Sequence, residues 1–126
     1  MKNTLILIFI FVVVASCSNK EDSEIQVLES DITAISSPKQ AIVGDNVSVQ
    51  VNFTGPNGCT EPYSIEANKV GQTITLRAFY SEPIASICTE QVLNHSLNYS
   101  FFADLPGAYF FISEMDNSVT DTLVVF

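Results

Sequence analysis

The sequence is poor in the residues that nucleic-acid binding and electrostatic membrane binding use most. Its 126 residues include only five lysines and arginines, against fourteen aspartates and glutamates, and no tryptophan. The net charge of −9 leaves little that could neutralise phosphates, so we expect no nucleic-acid partner. The same charge argues against electrostatic attraction to anionic lipids.

Candidate catalytic residues are equally scarce. His95 is the only histidine, and its neighbour Ser96 should point to the opposite face of a strand, so the two cannot form a nucleophile–base pair. No Gly-x-Ser-x-Gly elbow occurs. Glu114 and Asp116 would suit a carboxylate pair, or calcium together with Asp121, but a solvated strand end explains them as well. We therefore expect no enzyme, no catalytic residue, no metal site and no cofactor.

The N-terminus has the organisation of an export signal. Lys2 precedes an uncharged apolar run from Leu5 to Ala15, and small residues follow that run. A run of about 11 residues is shorter than the roughly 20 that a membrane-spanning helix needs. This segment is therefore predicted to direct export rather than to span the membrane.

Val14-Ala15-Ser16-Cys17 resembles the lipobox of bacterial lipoproteins. The resemblance implies that residues 1–16 are a signal peptide cleaved before Cys17, and that fatty acyl groups such as palmitate are attached to Cys17. Two or more acyl chains give stable anchoring. The expected partner is thus the membrane, reached through the lipid on Cys17. The expected location is the bacterial outer membrane, on its periplasmic or cell-surface face.

The polar and acidic run from Ser18 to Glu24 resembles the tether of surface-exported lipoproteins in Bacteroidota-type bacteria. A simple solvated linker explains the run equally well. We assign residues 17–30 as the lipidated cysteine and a flexible acidic tether, and residues 31–126 as one folded domain.

Two cysteines remain if Cys17 is acylated. Cys59 and Cys88 would then lie in an oxidising compartment, where an even pair is expected to form a disulfide bond. A metal site and a catalytic thiol assisted by His95 are the alternatives. Two isolated cysteines and one histidine do not have a familiar zinc-binding spacing.

The domain has the alternation of half-buried strands. From Val47 to Thr54 every second residue is apolar and the intervening residues are polar, so one face of a strand is buried. Similar patterns recur with turns between them and no long helical period. Seven or so strands at this spacing predict a single all-β, antiparallel β-sandwich.

Two short motifs indicate a more specific resemblance. Asp104-Leu105-Pro106-Gly107-Ala108-Tyr109 resembles the corner before a late strand in immunoglobulin-like and fibronectin-like modules, and Val43-Gly44-Asp45 resembles a turn in them. The first motif implies that Tyr109 packs inward while its hydroxyl bonds back to the chain. Because tryptophan is absent and the cysteines fall in loops, the resemblance does not extend to antibody-like function.

The best candidate for a binding surface lies on the strand after this corner. Tyr109 and Phe111 should share one face, and Phe110 and Ile112 the other. If Phe110 and Ile112 face outward they form a possible binding patch, although the tether or a loop could equally cover them. We expect a non-enzymatic, lipid-anchored module that binds a protein or glycan or has a structural role. The alternative is a periplasmic inhibitor or assembly factor acting through the loop 81–94.

Overall fold

The structure is a computed structural model that describes residues 24–126. Within that range it contains nine strands and no helix, and hence no helix long and apolar enough to cross a membrane. The strands are β1 (Ile25–Ser30), β2 (Ile32–Ser36), β3 (Gln40–Ala41), β4 (Asn46–Gly55), β5 (Glu61–Val70), β6 (Thr73–Pro83), β7 (Leu93–Phe102), β8 (Gly107–Ser113) and β9 (Thr120–Val125).

The nine strands form two sheets, which confirms the predicted all-β sandwich. The small sheet has the order β2-β4-β7. The large sheet is six-stranded and runs β1-β6-β8-β9-β3, with β5 on the other edge of β6. The sequence predicted about seven strands with antiparallel pairing throughout. Two of the pairings, β3 with β9 and β6 with β8, are parallel.

β4 is the centre of the small sheet and behaves as its alternation predicts. Val49, Val51 and Phe53 are completely buried, whereas Ser48 and Gln50, on either side of Val49, are exposed. β4 pairs with β7 over ten residues in an unbroken antiparallel register. Alternate side chains of both strands therefore enter the core.

β6 is the strand around which the large sheet is built. Its first half pairs with β8, from Thr73 opposite Phe110 to Leu76 opposite Ser113, and its second half pairs with β1. β5 occupies the opposite edge of β6 from Thr73 to Ser81, with a register shift between Pro62 and Ser64. The pairing with β8 is parallel because the chain crosses to the small sheet and back between these two strands.

The core between the sheets is made of aliphatic residues around an aromatic cluster. Phe101 lies edge-on to both Tyr109 and Phe111, with ring centroids 4.8 and 5.7 Å apart. Edge-to-face pairs of this kind stabilise a core beyond the area that they bury. Because Phe101 comes from β7 and the other two rings from β8, the cluster joins the two sheets.

Two predicted boundaries were wrong. Ile25–Ser30, assigned to the tether 17–30, forms β1 and belongs to the domain. Its residues are mostly exposed and show no clear alternation, so the pairing with β6 alone makes them a strand. That pairing also extends β6 to Pro83, and β7 begins at Leu93, so the predicted loop 81–94 is reduced to residues 84–92. The signal peptide, Cys17 and the start of the tether lie outside the described residues.

Candidate functional site

The corner before β8 fixes which way its side chains point. Tyr109 is buried, and its hydroxyl donates to the carbonyl oxygen of Leu105 at 2.8 Å, as the resemblance implies. Gly107 has a backbone φ of +132°, a conformation that residues other than glycine rarely adopt. With Tyr109 and Phe111 directed into the core, Phe110 and Ile112 must point outward.

Phe110 and Ile112 do lie on the outside of the large sheet. The side chain of Phe110 is 46% exposed and Ile112 is half-buried. No residue from 24 to 126 buries Phe110, so neither the described part of the tether nor a loop covers it. The two side chains form an apolar strip along the middle of the sheet.

Polar side chains of the adjacent strands border this strip. On one side Thr73 and Thr75 of β6 stand opposite Phe110 and Ile112, and on the other side Thr122 and Thr120 of β9 do so. We call this surface the large outer face. It comprises the outward side chains Asn68, Thr73, Thr75, Arg77, Phe110, Ile112, Glu114, Thr120 and Thr122.

Arg77 forms the charged end of the large outer face. Its guanidinium makes two 3.0 Å bonds to Glu29, and it contacts Glu114 at 2.9 Å and Glu66 at 3.4 Å. It also lies 5.1 Å from the ring centroid of Phe79. The Arg77 hydrogen bonds lower the pKa of Glu29, and the carboxylate raises the pKa of Arg77 in return. One cation thus faces three carboxylates.

A shallow pocket of about 310 Å³ adjoins this cluster. Asn68 and Thr75 line it together with Glu66, Arg77 and Glu114. These groups offer amide, hydroxyl, carboxylate and guanidinium atoms at the end of the apolar strip. The surface can therefore hydrogen-bond to a ligand and also pack against it.

The sequence analysis did not identify the Arg77 cluster. Its carboxylates come from β1, β5 and the end of β8, and only the sheet pairing brings them together. The alternation of polar and apolar residues in β6 does place Arg77 on the outward side of the strand. It does not show which residues contact Arg77.

His95 contacts the turn that follows β4. Its Nε2 lies 2.9 Å from the hydroxyl of Thr60, and its ring packs 5.6 Å from that of Phe53. The Thr60 hydroxyl also lies 2.9 Å from the carbonyl oxygen of Asn57, and the tautomer of His95 determines which of the two partners receives the Thr60 proton. Ser96 points to the other face, where its hydroxyl accepts from Gln50.

The three carboxylates considered for calcium or for acid–base chemistry have separate partners. Glu114 binds Arg77, and Asp116 accepts from the backbone N–H of Ser118. Hydrogen bonds from the Ser118 side chain and then from its backbone lower the pKa of Asp116. Asp121 accepts from the backbone N–H of Ser37 at 2.6 Å. No cluster of three or more metal-ligating side chains occurs in the range 24–126.

Asp121 instead fixes the chain where it passes from the small to the large sheet. The Ser37 hydroxyl donates to it at 2.8 Å and the Lys39 ammonium at 3.1 Å. Burial by itself raises the pKa of Asp121, but the hydrogen bonds from Ser37, Lys39 and the Thr122 N–H outweigh burial and lower it. A charged Asp121 thus joins β9 to the segment between β2 and β3.

The predicted disulfide bond between Cys59 and Cys88 is confirmed. Cys59 follows β4 and Cys88 follows β6, so the bond joins two loops that each cross from one sheet to the other. The Gly58 N–H also donates to the Thr89 carbonyl oxygen at 2.9 Å. The loop 84–92 is therefore held at one end of the sandwich.

The family comparison agrees with this architecture. A family model, the ORF11 beta-sandwich domain, matches residues 49–124, from within β4 to within β9. This chain belongs to the ORF11 beta-sandwich domain family. Because the match covers β5 to β8 completely, it includes the large outer face and the disulfide loop. No curated protein and no solved structure matches the chain.

Proposed function

We propose that this protein is a lipid-anchored, non-enzymatic binding module of the bacterial outer membrane. The lipobox resemblance at Val14-Ala15-Ser16-Cys17 supports the anchor, and the polar run after it supports a Bacteroidota-type origin. The domain would bind a protein or glycan through the large outer face. The observation that carries this proposal is the outward position of Phe110 and Ile112.

The large outer face has the composition of a binding surface. An exposed aromatic ring can stack on a sugar or fill a pocket of a protein partner, and such anchors supply most of the energy of many interfaces. The threonine hydroxyls and the pocket beside Arg77 add donors and acceptors around it. Binding needs only this complementarity, whereas catalysis would need a positioned base.

The decisive experiment compares two exposed phenylalanines. Phe110 lies on the large outer face, and Phe102, 54% exposed, lies on β7 of the other sheet. The full chain and its variants are offered to immobilised lipopolysaccharide, peptidoglycan, host-type glycans and solubilised envelope proteins. We expect Phe110→Ser to weaken binding by at least about tenfold, the cost of losing an anchor residue, and Phe102→Ser to leave it unchanged.

Two results would contradict the proposal. Equal binding by the Phe110→Ser and Phe102→Ser variants would place the binding surface elsewhere. Hydrolysis of a polymer by the pure protein, lost on changing His95 to Ala, would show an enzyme. The anchor is tested separately with radiolabelled palmitate, which the wild type should incorporate and the Cys17→Ala variant should not.

The loop 84–92 supports a second candidate, an inhibitor or assembly factor. Ile87 is fully exposed beside Cys88, and Ile84 and Val92 are more than half exposed. A loop that presents aliphatic side chains while a disulfide bond holds it loses little entropy on binding. Ile87→Ser should then abolish inhibition of an elastase-type protease, whereas Val70→Ser, an equally apolar surface change on β5, should not. Rapid cleavage of this loop by the protease would show that the chain is a substrate and not an inhibitor.

A further inference from the structure

A second pocket lies where the chain passes from the large sheet to the small sheet. β1 ends its pairing with β6 at Ser30, and β2 begins at Ile32 in the other sheet. β8 pairs with β6 only as far as Leu76. A pocket of about 330 Å³, lined by Ser30 and by Met115 just beyond β8, lies between the two strand ends. We call it the β1–β2 pocket, and in the range 24–126 it shares no lining residue with the pocket beside Arg77.

The inner wall of the β1–β2 pocket contains a hydroxyl group without a partner. Tyr80 is only 8% exposed, and its hydroxyl takes part in none of the hydrogen bonds formed within residues 24–126. Burial, and then the charge of Glu82, raise the pKa of Tyr80, so the hydroxyl keeps its proton at neutral pH. Every fully buried polar side-chain atom of that range has a partner, so the Tyr80 hydroxyl is the part of this side chain that stays accessible. Because Tyr80 lines the pocket, a ligand there can reach the hydroxyl.

Further side chains of the pocket supply hydrogen-bond acceptors. The hydroxyl of Ser30 donates to the carbonyl oxygen of Thr54, which leaves the Ser30 oxygen as an acceptor. The carboxylate of Asp31 is exposed and takes part in none of the ion pairs within residues 24–126. Glu29 also lines the pocket, and Arg77 binds its carboxylate. No lysine or arginine of the described chain lines the pocket, so its potential is negative.

The rim of the pocket is apolar. It is formed by Pro56, Val92 and Met115, and the last two are more than half exposed. Pro56 follows β4, Val92 precedes β7 and Met115 follows β8. An aliphatic group that packs between these side chains removes apolar surface from water on all of them. The pocket thus combines an unpaired carboxylate with apolar sides.

We propose that the β1–β2 pocket binds a primary ammonium group at the end of an aliphatic stem. An ammonium has three donors and no acceptor, which suits the oxygens of Asp31, Tyr80 and Ser30. The stem packs on the apolar rim. The carboxylates repel an anion, and a metal ion such as calcium needs about six to eight oxygen ligands. The site is independent of the function proposed for the large outer face, because none of the residues that line the pocket belongs to that face.

The methyl group of Met115 gives a direct measurement in the full chain. Met115 is the only methionine of residues 24–126 and lines the pocket, so isotope labelling of methionine methyl groups places an NMR signal beside the ligand. The chain is kept in a neutral detergent and titrated with Nα-acetyllysine methylamide. We expect the Met115 signal to shift and to saturate. The same compound acetylated on its side-chain nitrogen has no charge and should leave the signal in place.

Three variants show whether the proposed groups hold the ammonium. Tyr80→Phe removes only the hydroxyl and should raise the dissociation constant by about fivefold, the effect of losing one hydrogen bond. Asp31→Asn removes the unpaired charge and should raise that constant by at least about tenfold. Glu61→Gln removes the same charge from β5, outside the pocket, and should leave the constant unchanged.

A titration with cadaverine identifies the source of the ammonium. Tighter binding of the lysine compound indicates a lysine of a polypeptide, and tighter binding of cadaverine indicates a free amine. Equal shifts with the charged and the acetylated lysine compounds would overturn the proposal. So would a dissociation constant that either Tyr80→Phe or Asp31→Asn leaves unchanged. An equal Met115 shift with calcium at the same concentration would show a site for any cation and would also overturn it.

Discussion

The two outer faces of the sandwich cover the same core but differ in chemistry. The small outer face, formed by the outward side chains of β4 from Asn46 to Thr54 and of β7 from Asn94 to Phe102, carries no charge and is polar apart from Phe102. The large outer face has Phe110 and Ile112 at its centre and Arg77 with three carboxylates at one end. The alternation of apolar and polar residues predicts both faces equally, because it says only which residues avoid the core.

This difference separates two kinds of contact. Neutral hydroxyl and amide groups such as those of the small outer face hydrogen-bond to water about as well as to a partner, so they favour no particular ligand. A surface with an aromatic ring, hydroxyl groups and a charged pocket suits recognition of a particular ligand. The two faces belong to different sheets, so each can be changed without the other. The following predictions test that separation.

The largest effect should come from a charge placed beneath the small outer face. Val49 is completely buried and its neighbour Gln50 is exposed on that face. Val49→Asp buries a carboxylate without a partner and should unfold the domain, whereas Gln50→Asp should change stability by less than about 0.5 kcal/mol. Thermal unfolding followed by circular dichroism measures both. Equal melting temperatures would mean that the two sides of β4 are not distinct.

Substitutions at two neighbouring phenylalanines of β8 test in the same way which side of the strand forms the large outer face. Phe111 is completely buried, and Phe110 beside it is 46% exposed. Phe111→Ala leaves a cavity and should cost about 3–5 kcal/mol of unfolding free energy. Phe110→Ala should cost far less, because its ring is already partly in water. Urea unfolding gives both values, and a reversed order would show that Phe110 supports the core.

The disulfide bond connects the two sheets at one end and should contribute a somewhat smaller amount. Its cysteines are 29 residues apart. In the chain-entropy model, closing a loop of that size stabilises the fold by about 3.5 kcal/mol. Cys59→Ser combined with Cys88→Ser should therefore lower the unfolding free energy by roughly this amount. Two free thiols titrated in the native wild-type protein would contradict the bond itself.

The parts of this structure that were predictable are those determined by neighbouring residues. Alternation identified β4, and the corner at Tyr109 determined which side chains of β8 point outward. Both signals lie within about ten residues of the strand that they describe. The disulfide bond was predictable for a different reason, because once Cys17 is set aside only two cysteines remain.

The parts that were missed depend on distant partners. Ile25, Val27 and Leu28 are exposed and next to a polar run, so only their pairing with β6 makes them a strand. Tyr63 lies at the register shift in β5 and is exposed, and that shift depends on the pairing with β6. The Arg77 cluster likewise requires three strands to be placed before its carboxylates can be found.

The smallest effect should be an acid dependence that the large outer face has and the small outer face lacks. Hydrogen bonds from Arg77 lower the pKa of Glu29 in the folded protein. A lowered pKa adds stability that is present above the pKa of the unfolded chain, about 4.3, and is lost as the pH falls through the folded value. Arg77→Gln should therefore lower the melting temperature slightly at pH 7, because exposed ion pairs contribute little.

The difference between this variant and the wild type should disappear at acid pH, where Glu29 is protonated in both. The small outer face supplies the control, because it has no carboxylate. Asn98→Ser should shift the melting temperature by the same amount at every pH. An Arg77→Gln effect that stays constant from pH 7 down to pH 2 would show that the guanidinium acts through packing on Phe79 and not through its carboxylates. The charged end of the large outer face would then be a packing contact.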